Sequence, residues 1–319
     1  MSDTTRASRQ SRRGFLQALG AMGAAAVLPG TAEAAARREE LATLHDLSRC
    51  IGCGACVTAC RETNARKHPN PQKPFPKMLP NRVKVSDWSE RRDVTDRLTP
   101  YNWLTIQSIS VEHAGRTHEI HIPRRCMHCQ NPPCANLCPW GAARKQADGI
   151  VRIEDDACMG GSKCRSVCPW MIPQRQTGVG IYLDLLPSLA GNGVMFKCDR
   201  CYDRIEQGQL PACVEICPLE VQKIGPREKI VARAHELAER MGGYLYGETE
   251  NGGTNTIYVS PVPFEKLDAA LDADTAQGRP HLGPAPDRLG LEQKLAWAFV
   301  AAPLAGLAAG LRAGRKKDA

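Results

Sequence analysis

The spacing of fifteen cysteines constrains the fold of this 319-residue chain more than any other feature. The cysteines fall in four groups, at residues 50–60, 126–138, 158–168 and 198–217. In every group the last two cysteines are separated by three residues. Such a repeat indicates that one ligand-bearing unit occurs four times, so the groups define the fold.

The first group has the spacing Cys-x2-Cys-x2-Cys-x3-Cys, which is the bacterial ferredoxin run. Three close thiolates bind three irons of one cubane, and the fourth cysteine binds a different cluster. The second and fourth groups have a longer loop before the third cysteine but keep the final Cys-Pro. The ligands predicted from these three groups are Cys50, Cys53, Cys56, Cys60, Cys126, Cys129, Cys134, Cys138, Cys198, Cys201, Cys213 and Cys217.

The third group departs from the pattern, because Gly161 stands where the second cysteine is expected. Its ligands are Cys158, Cys164 and Cys168. Glycine offers no side chain to an iron, so one cluster has three cysteines and an open corner. We expect a [3Fe-4S] cluster there; the alternative is a [4Fe-4S] cluster with water or an oxygen ligand on its fourth iron.

Two other uses of cysteine fit the sequence less well. Disulfide scaffolds are short and have an even number of cysteines, whereas this chain is long and the number is odd. Zinc ribbons use Cys-x2-Cys pairs, but they do not need a third close cysteine and a fourth before proline. Iron–sulfur binding is therefore the favoured interpretation.

Bulk composition is compatible with this interpretation. Aromatic residues make up only 5% of the chain, and we expect the clusters and their loops to supply part of the core. The formal charge is +8, yet no basic block with interleaved aromatic residues occurs. Nucleic acid is therefore not expected as a partner.

The N-terminal 34 residues have the features of a twin-arginine export signal. Arg12 and Arg13 precede Phe15 and Leu16, an apolar stretch follows, and residues 32–34 form a small-x-small cleavage site. This route exports folded proteins, which suits clusters assembled in the cytoplasm. The sequence therefore predicts a protein on the periplasmic side of the inner membrane.

Residues 295–311 form an uncharged run of 17 residues, followed by a basic tail. That length is at the lower limit for crossing a bilayer core, and positive charge after a span favours the cytoplasmic side. We expect a single C-terminal membrane anchor. The alternative is a helix that lies on the membrane interface or packs on the protein.

Local patterns predict several elements between the ends. Residues 104–111 and 116–122 alternate like a hairpin around Ala114 and Gly115, and residues 149–153 and 256–262 have the character of strands. Helical spacing extends over residues 227–241, and residues 272–287 have the composition of a polar linker. Trp140 and Trp170, each after a Cys-Pro, are expected to pack over clusters.

The histidines have no spacing typical of metal ligands and are expected at the surface. For His128, between Cys126 and Cys129, a hydrogen bond to a cluster sulfide is the alternative.

The chain resembles the four-cluster iron–sulfur subunits of complex iron–sulfur oxidoreductases, over residues 45–312. These include formate dehydrogenase beta subunits, the electron-transfer subunits of membrane uptake hydrogenases, and iron–sulfur subunits of transmembrane redox complexes of sulfate reducers. The resemblance rests on Arg125-Cys126-Met127-His128-Cys129, Lys197-Cys198-Asp199-Arg200-Cys201, Ala212-Cys213-Val214-Glu215-Ile216-Cys217-Pro218 and Tyr246-Gly247-Glu248. The departures are Gly161 and the long insertion after Cys60.

The resemblance implies that group one pairs with group four and that groups two and three are nested inside. The implied ligand sets are Cys50, Cys53, Cys56 and Cys217 for the first cluster; Cys60, Cys198, Cys201 and Cys213 for the second; Cys126, Cys129, Cys134 and Cys168 for the third; and Cys138, Cys158 and Cys164 for the fourth. It also implies a catalytic oxidoreductase or multihaem cytochrome as one partner. The other implied partner is an integral membrane, quinone-reactive subunit.

The prediction is an α+β fold with two nested pairs of ferredoxin-like motifs, long insertions and a C-terminal transmembrane helix. Its predicted parts are a signal peptide (1–34), a four-cluster domain (45–225, with an insertion at 61–125), an extension and linker (226–290) and an anchor with a basic tail (291–319). The expected function is electron relay without catalysis. The alternative is a freestanding enzyme that uses the open corner near Gly161 as a substrate site.

Overall fold

The computed structural model describes residues 39–77, 85–185, 193–287 and 289–290. The strands are β1 (Leu41–Asp46), β2 (Thr105–His113), β3 (Arg116–Arg124), β4 (Ala143–Lys145), β5 (Val151–Ile153), β6 (Gln174–Gln176), β7 (Val194–Phe196), β8 (Gln222–Pro226), β9 (Tyr244–Tyr246) and β10 (Thr256–Ser260). The α-helices are α1 (Ala55–Thr63), α2 (Pro133–Asn136), α3 (Lys163–Val167), α4 (Tyr182–Leu185), α5 (Tyr202–Glu206), α6 (Ala212–Glu215), α7 (Arg227–Met241) and α8 (Phe264–Ala270).

A four-stranded sheet joins the two ends of the described region. Its strand order is β8-β1-β10-β9. Strand β1 pairs with β10 in parallel, with Thr43 opposite Thr256, and with β8 in antiparallel orientation. The parallel contact connects segments that are about two hundred residues apart in the chain.

Helix α7 covers one face of this sheet and confirms the helix predicted at residues 227–241. Ile230, Ala234 and Ala238 recur every four residues and therefore lie on one helix face. They pack on Leu44 and Val259 in a separate apolar cluster. Burying a side chain the size of isoleucine contributes about 1.5–3 kcal/mol to folding. The helix ends at a glycine in the left-handed conformation.

Strands β2 and β3 form the predicted hairpin. Ala114 and Gly115, the two turn residues, have φ angles of 51° and 74°. Positive φ at both central residues is the geometry of a type I′ turn, whose twist matches that of the flanking strands. Alternate side chains of β2, including Ile109 and Val111, are buried in the main core. The strands predicted at residues 149–153 and 256–262 are also present, as β5 and β10.

Each cysteine group places its penultimate cysteine in a helix. Cys56 lies in α1, Cys134 in α2, Cys164 in α3 and Cys213 in α6. Helix α1 packs against α6, and α2 packs against α3. Groups one and four therefore lie together, and so do groups two and three.

The segment at residues 272–287, predicted as a linker, packs on the body of the protein. Leu282 and Ala285 are buried. Arg124 donates a hydrogen bond to the carbonyl oxygen of His281, and the Tyr246 hydroxyl donates to that of Gly283 at 2.9 Å. The buried apolar residues and these bonds explain why this polar, Gly- and Pro-containing segment lies against the domain.

The predicted export signal (1–34) and membrane anchor (295–311) lie outside the described residues. Among the residues that the structure describes, no helix is both long enough and apolar enough to cross a membrane.

Candidate cluster-binding sites

The first predicted ligand set lines a single pocket. Cys50, Cys53, Cys56 and Cys217 line it together with apolar side chains that include Ile106. Cys217 comes from group four, so the pocket combines the two groups whose helices α1 and α6 are packed together. Four sulfurs around one apolar pocket are the donor set that a cubane cluster needs.

The third predicted ligand set also shares one pocket. Cys126, Cys129, Cys134 and Cys168 line it. Its remaining walls are apolar or aromatic apart from one cation, with Met127, Val151, Trp170 and Ile172 among them; the cation is Lys197. Cysteine groups two and three therefore form this pocket together, which agrees with the packing of α2 against α3.

The second predicted set gathers around the buried sulfur of Cys60. Burial, with further contributions from Cys198, Cys213 and Cys201, holds the pKa of Cys60 well above its usual value. The Nδ2 atom of Asn64 lies 3.7 Å from the Cys60 sulfur. The backbone N–H of Arg200 donates to the Cys198 sulfur at 3.3 Å. Polar hydrogens therefore point at this sulfur group, as they do around cluster ligands.

The fourth predicted set contains only three cysteines. Cys164 has Cys158 and Cys138 among its electrostatic neighbours, together with Cys134 and Cys168 of the third set. The third and fourth sets are therefore adjacent. Burial raises the pKa of Cys158, and the carboxylate of Asp155 adds to that shift.

Gly161 does not occupy its position for conformational reasons. Its φ lies outside the left-handed region, and a Cβ atom added there would have no neighbour within 4 Å. The preceding residue, Gly160, has a φ of 66°, and its Cβ would meet the backbone of Gly193. A side chain at position 161, which is exposed, would therefore extend into open space.

The ionisation of these thiols depends on a cationic partner. Burial raises the pKa of Cys56, Cys134 and Cys198 to about 12 in each case. At neutral pH such thiols stay protonated unless a Lewis acid binds the sulfur. Iron supplies that charge, so the residues fit iron–sulfur clusters; the binding of iron to each set stays a prediction. Within the described ranges, no three histidine, cysteine or carboxylate side chains are arranged to hold a single metal ion.

Among the residues that the structure describes, four buried cations lie in the interior, and the sequence patterns did not reveal them. They are Arg124, Arg125, Lys197 and Arg200. Arg125 donates one hydrogen bond to the Cys213 sulfur at 2.7 Å and another to His45 Nε2 at 3.0 Å. Arg200 donates to the carbonyl oxygen of Asn255 at 2.7 Å, and burial together with Arg125 lowers its pKa to about 10. In the sequence, these four cations are distinguished only by lying one or two residues from a cysteine.

The prediction that the histidines lie at the surface is wrong for His45 and His128, which are completely buried. His45 accepts the hydrogen bond from Arg125, and burial together with that guanidinium holds its pKa well below the usual value. The Nδ1 atom of His128 accepts from the backbone N–H of Val151 at 3.0 Å. Both rings therefore stay neutral and serve as acceptors in the interior.

The two tryptophans differ in their surroundings. Trp170 is 1% exposed, lines the pocket of the third set, and donates from Nε1 to the Tyr246 hydroxyl at 2.8 Å. Its predicted packing is confirmed. Trp140 is 58% exposed, so the same prediction is wrong there. It lies in a surface turn closed by a hydrogen bond from the N–H of Gly141 to the carbonyl oxygen of Cys138.

Comparisons with known proteins agree with this donor set. Two family models, each described as a 4Fe-4S dicluster domain, match residues 117–227 and 49–142. The fold and the sulfur pockets thus define an iron–sulfur protein with ferredoxin-like dicluster domains and mixed helix and strand content.

Three relatives are informative. A protein of Nitratidesulfovibrio vulgaris is 34% identical over 265 residues, which are 79% of this chain and 65% of that protein. The hydrogenase-2 operon protein HybA of Escherichia coli O157:H7 is 29% identical over 84% of this chain and 86% of its own length. The formate dehydrogenase-O iron-sulfur subunit of Escherichia coli K12 is 32% identical over 70% of this chain and 67% of its own length.

The chain belongs to the family of multi-cluster iron–sulfur electron-transfer subunits of oxidoreductase complexes. The resemblance drawn from the sequence is thereby confirmed. The chain spans slightly less than two thirds of the Nitratidesulfovibrio relative.

Proposed function

We propose that this protein is a non-catalytic relay subunit that carries three [4Fe-4S] clusters and one [3Fe-4S] cluster. It conducts electrons between a periplasmic catalytic or cytochrome partner and a membrane subunit that reacts with quinone. The twin-arginine signal and the C-terminal anchor would hold it on the periplasmic side of the inner membrane. The observation that supports the proposal is that the cysteine groups meet in space: two pockets are each lined by four cysteines, and the other cysteines interact around Cys60 and Cys164.

Neighbouring sets share cysteine groups and interact electrostatically, which is compatible with a series of clusters. Group one shares its pocket with Cys217, and its last cysteine, Cys60, belongs with the set of group four. Cys164 is an electrostatic neighbour of both inner sets. Bound clusters supply one-electron carriers at these positions. The residues of the chain hold them in apolar pockets and limit the access of water, which tunes their potentials.

Three features support a smaller fourth cluster. The fourth set has three sulfurs, the position of the missing ligand is a glycine, and the space beside that glycine is open. Asp155, whose charge acts on Cys158, is the first candidate for an oxygen ligand if a fourth iron is present.

Quantifying iron and acid-labile sulfide tests the cluster content. We expect about 15 irons per chain from three four-iron clusters and one three-iron cluster, and about 16 sulfides. The protein should be isolated anaerobically with its complex from membranes, and its partner subunits identified from the same preparation. A value near four irons, or stoichiometric zinc, would contradict the assignment.

A further inference from the structure

Lys197 occupies an unusual place between the sulfur sets. It follows β7 directly and precedes Cys198, and it is only 5% exposed. Its Nζ atom donates to the carbonyl oxygen of Cys198 at 3.1 Å and to that of Val151. Two backbone acceptors thus fix the ammonium group in the interior.

Sulfurs from two different sets also lie near this ammonium group. Cys126 and Cys134 belong to the third set, and Cys198 belongs to the second. The side chain also lines the pocket of the third set directly. Because the second set arises from groups one and four and the third from groups two and three, Lys197 lies where the two ferredoxin-like pairs meet.

Among the described residues, no carboxylate lies within ion-pair distance of Lys197, although Asp155, Asp199 and Asp203 line the same cavity. None of the ion pairs among the residues that the structure describes includes it. Backbone carbonyl oxygens hold its Nζ atom, and its side chain lines the pocket of the third set. Negatively charged clusters bound in the adjacent sulfur sets would therefore be its counter-charge.

We propose that Lys197 is a positioning residue that acts as a shared counter-charge for the second and third clusters and sets the potentials of both. The proposal rests on the cluster assignment above. Adding an electron makes a cluster more negative, and a fixed positive charge in a low-dielectric interior favours that state. One side chain would therefore raise two potentials together, in clusters held by different pairs of cysteine groups.

Lys67 supplies a matched control. It lines the same cavity as Lys197, which has a volume of about 170 Å³. Its Nζ atom, however, lies 2.6 Å from an oxygen of Asp199 and 2.8 Å from one of Asp203, and its side chain is 32% exposed. Because this side chain is partly exposed, solvent screens its charge, so its removal should affect the clusters much less than the removal of Lys197.

The test is potentiometric titration monitored by electron paramagnetic resonance, on the full chain isolated anaerobically in its complex. The variants are Lys197→Met, Lys197→Gln, Lys197→Arg and Lys67→Met. Cys213→Ser and Cys134→Ser identify which signals belong to the second and third clusters. Iron content is measured on every sample, so failure of the cluster assignment is seen in the wild type and is separable from failure of this proposal.

In both neutral Lys197 variants we expect the reduction equilibrium constants of the second and third clusters to fall at least tenfold each, about 59 mV for a one-electron couple. Iron content should be retained. Lys197→Arg should restore most of both shifts, and Lys67→Met should change either constant less than threefold.

A shift of only one cluster, or of neither, would overturn the proposal, and so would equal shifts in Lys67→Met. Loss of iron from both neutral variants with retention in Lys197→Arg would also overturn it, because the charge would then serve assembly rather than potential.

Discussion

Replacing Gly161 with cysteine should convert the fourth cluster. The substitution restores the run Cys-x2-Cys-x2-Cys-x3-Cys from Cys158 to Cys168. The backbone is compatible, since φ at this position is outside the left-handed region and a new Cβ would meet no atom within 4 Å. Steric cost is therefore small, and reduced freedom of the unfolded chain contributes about 0.4–1 kcal/mol in favour of the variant.

The added thiolate should capture one more iron per chain and add negative charge. The oxidised three-iron cluster is paramagnetic, whereas an oxidised four-iron cluster is diamagnetic. Wild-type protein, prepared anaerobically and mildly oxidised, should show a near-isotropic resonance close to the free-electron position, and Gly161→Cys should lack it. The reduction equilibrium constant should also fall at least tenfold, about 59 mV for one electron.

Gly161→Ser is the matched control, because it adds a side chain of similar size with a much weaker iron ligand; its resonance should persist. Absence of the resonance from oxidised wild type would refute the three-iron assignment. Asp155→Asn would then show whether that carboxylate fills the corner. Persistence of the resonance in Gly161→Cys, with unchanged iron content, would refute the geometric argument that position 161 faces the open corner.

Two further predictions concern export and pH. Changing Arg12 and Arg13 to lysine should leave the precursor in the cytoplasm. Ending the chain at Gly290 should release a cluster-containing domain from membranes. If the shortened protein stays on membranes after high-salt washing in the absence of its partners, the prediction of a membrane anchor is wrong. Burial, with Arg61 and Arg92 nearby, lowers the pKa of His68 to about 4, so its neutral form is the one favoured in the fold. The contribution of His68 to stability is therefore fully present above its pKa in the unfolded chain, about 6.5, and it is lost as the pH falls from there toward 4. After allowing for the partial exposure of the ring, we expect the free energy of unfolding to fall by about 1 kcal/mol between pH 7 and pH 5. Urea unfolding at these two pH values should show a smaller decline in His68→Asn, and equal declines would count against this electrostatic origin.

Local features of the fold were predictable because they depend on local chemistry. The hairpin of β2 and β3 follows from alternation around Ala114 and Gly115, and α7 from the four-residue recurrence of Ile230, Ala234 and Ala238. The cysteine spacing likewise indicated which segments carry ligands. In each case a few neighbouring residues contain the whole signal.

The four-stranded sheet could not be predicted in the same way. The pairing of β1 with β10 joins strands that are distant in the chain, and neither strand contains a sequence signal that specifies its partner. The buried cations were missed for a different reason. Arginine and lysine are almost always exposed unless they are paired, whereas Arg125 and Lys197 are buried near cysteine sulfurs. His45 was missed as well, because it lies on β1, an inner strand of the sheet whose pairing could not be predicted.

The parallel pairing of β1 with β10 has a consequence for biosynthesis. Strand β1 ends four residues before Cys50, and its two neighbours in the sheet, β8 and β10, emerge from the ribosome about two hundred residues later. At 5–20 residues per second, that interval lasts about 10–40 s. During this interval, the first four cysteines belong to a nascent chain in which the four-stranded sheet cannot yet form. The pocket of Cys50 and Cys217 therefore cannot be completed before Cys217 has been synthesised, and until then the first cysteines are the thiols that are exposed to oxidation for the longest time.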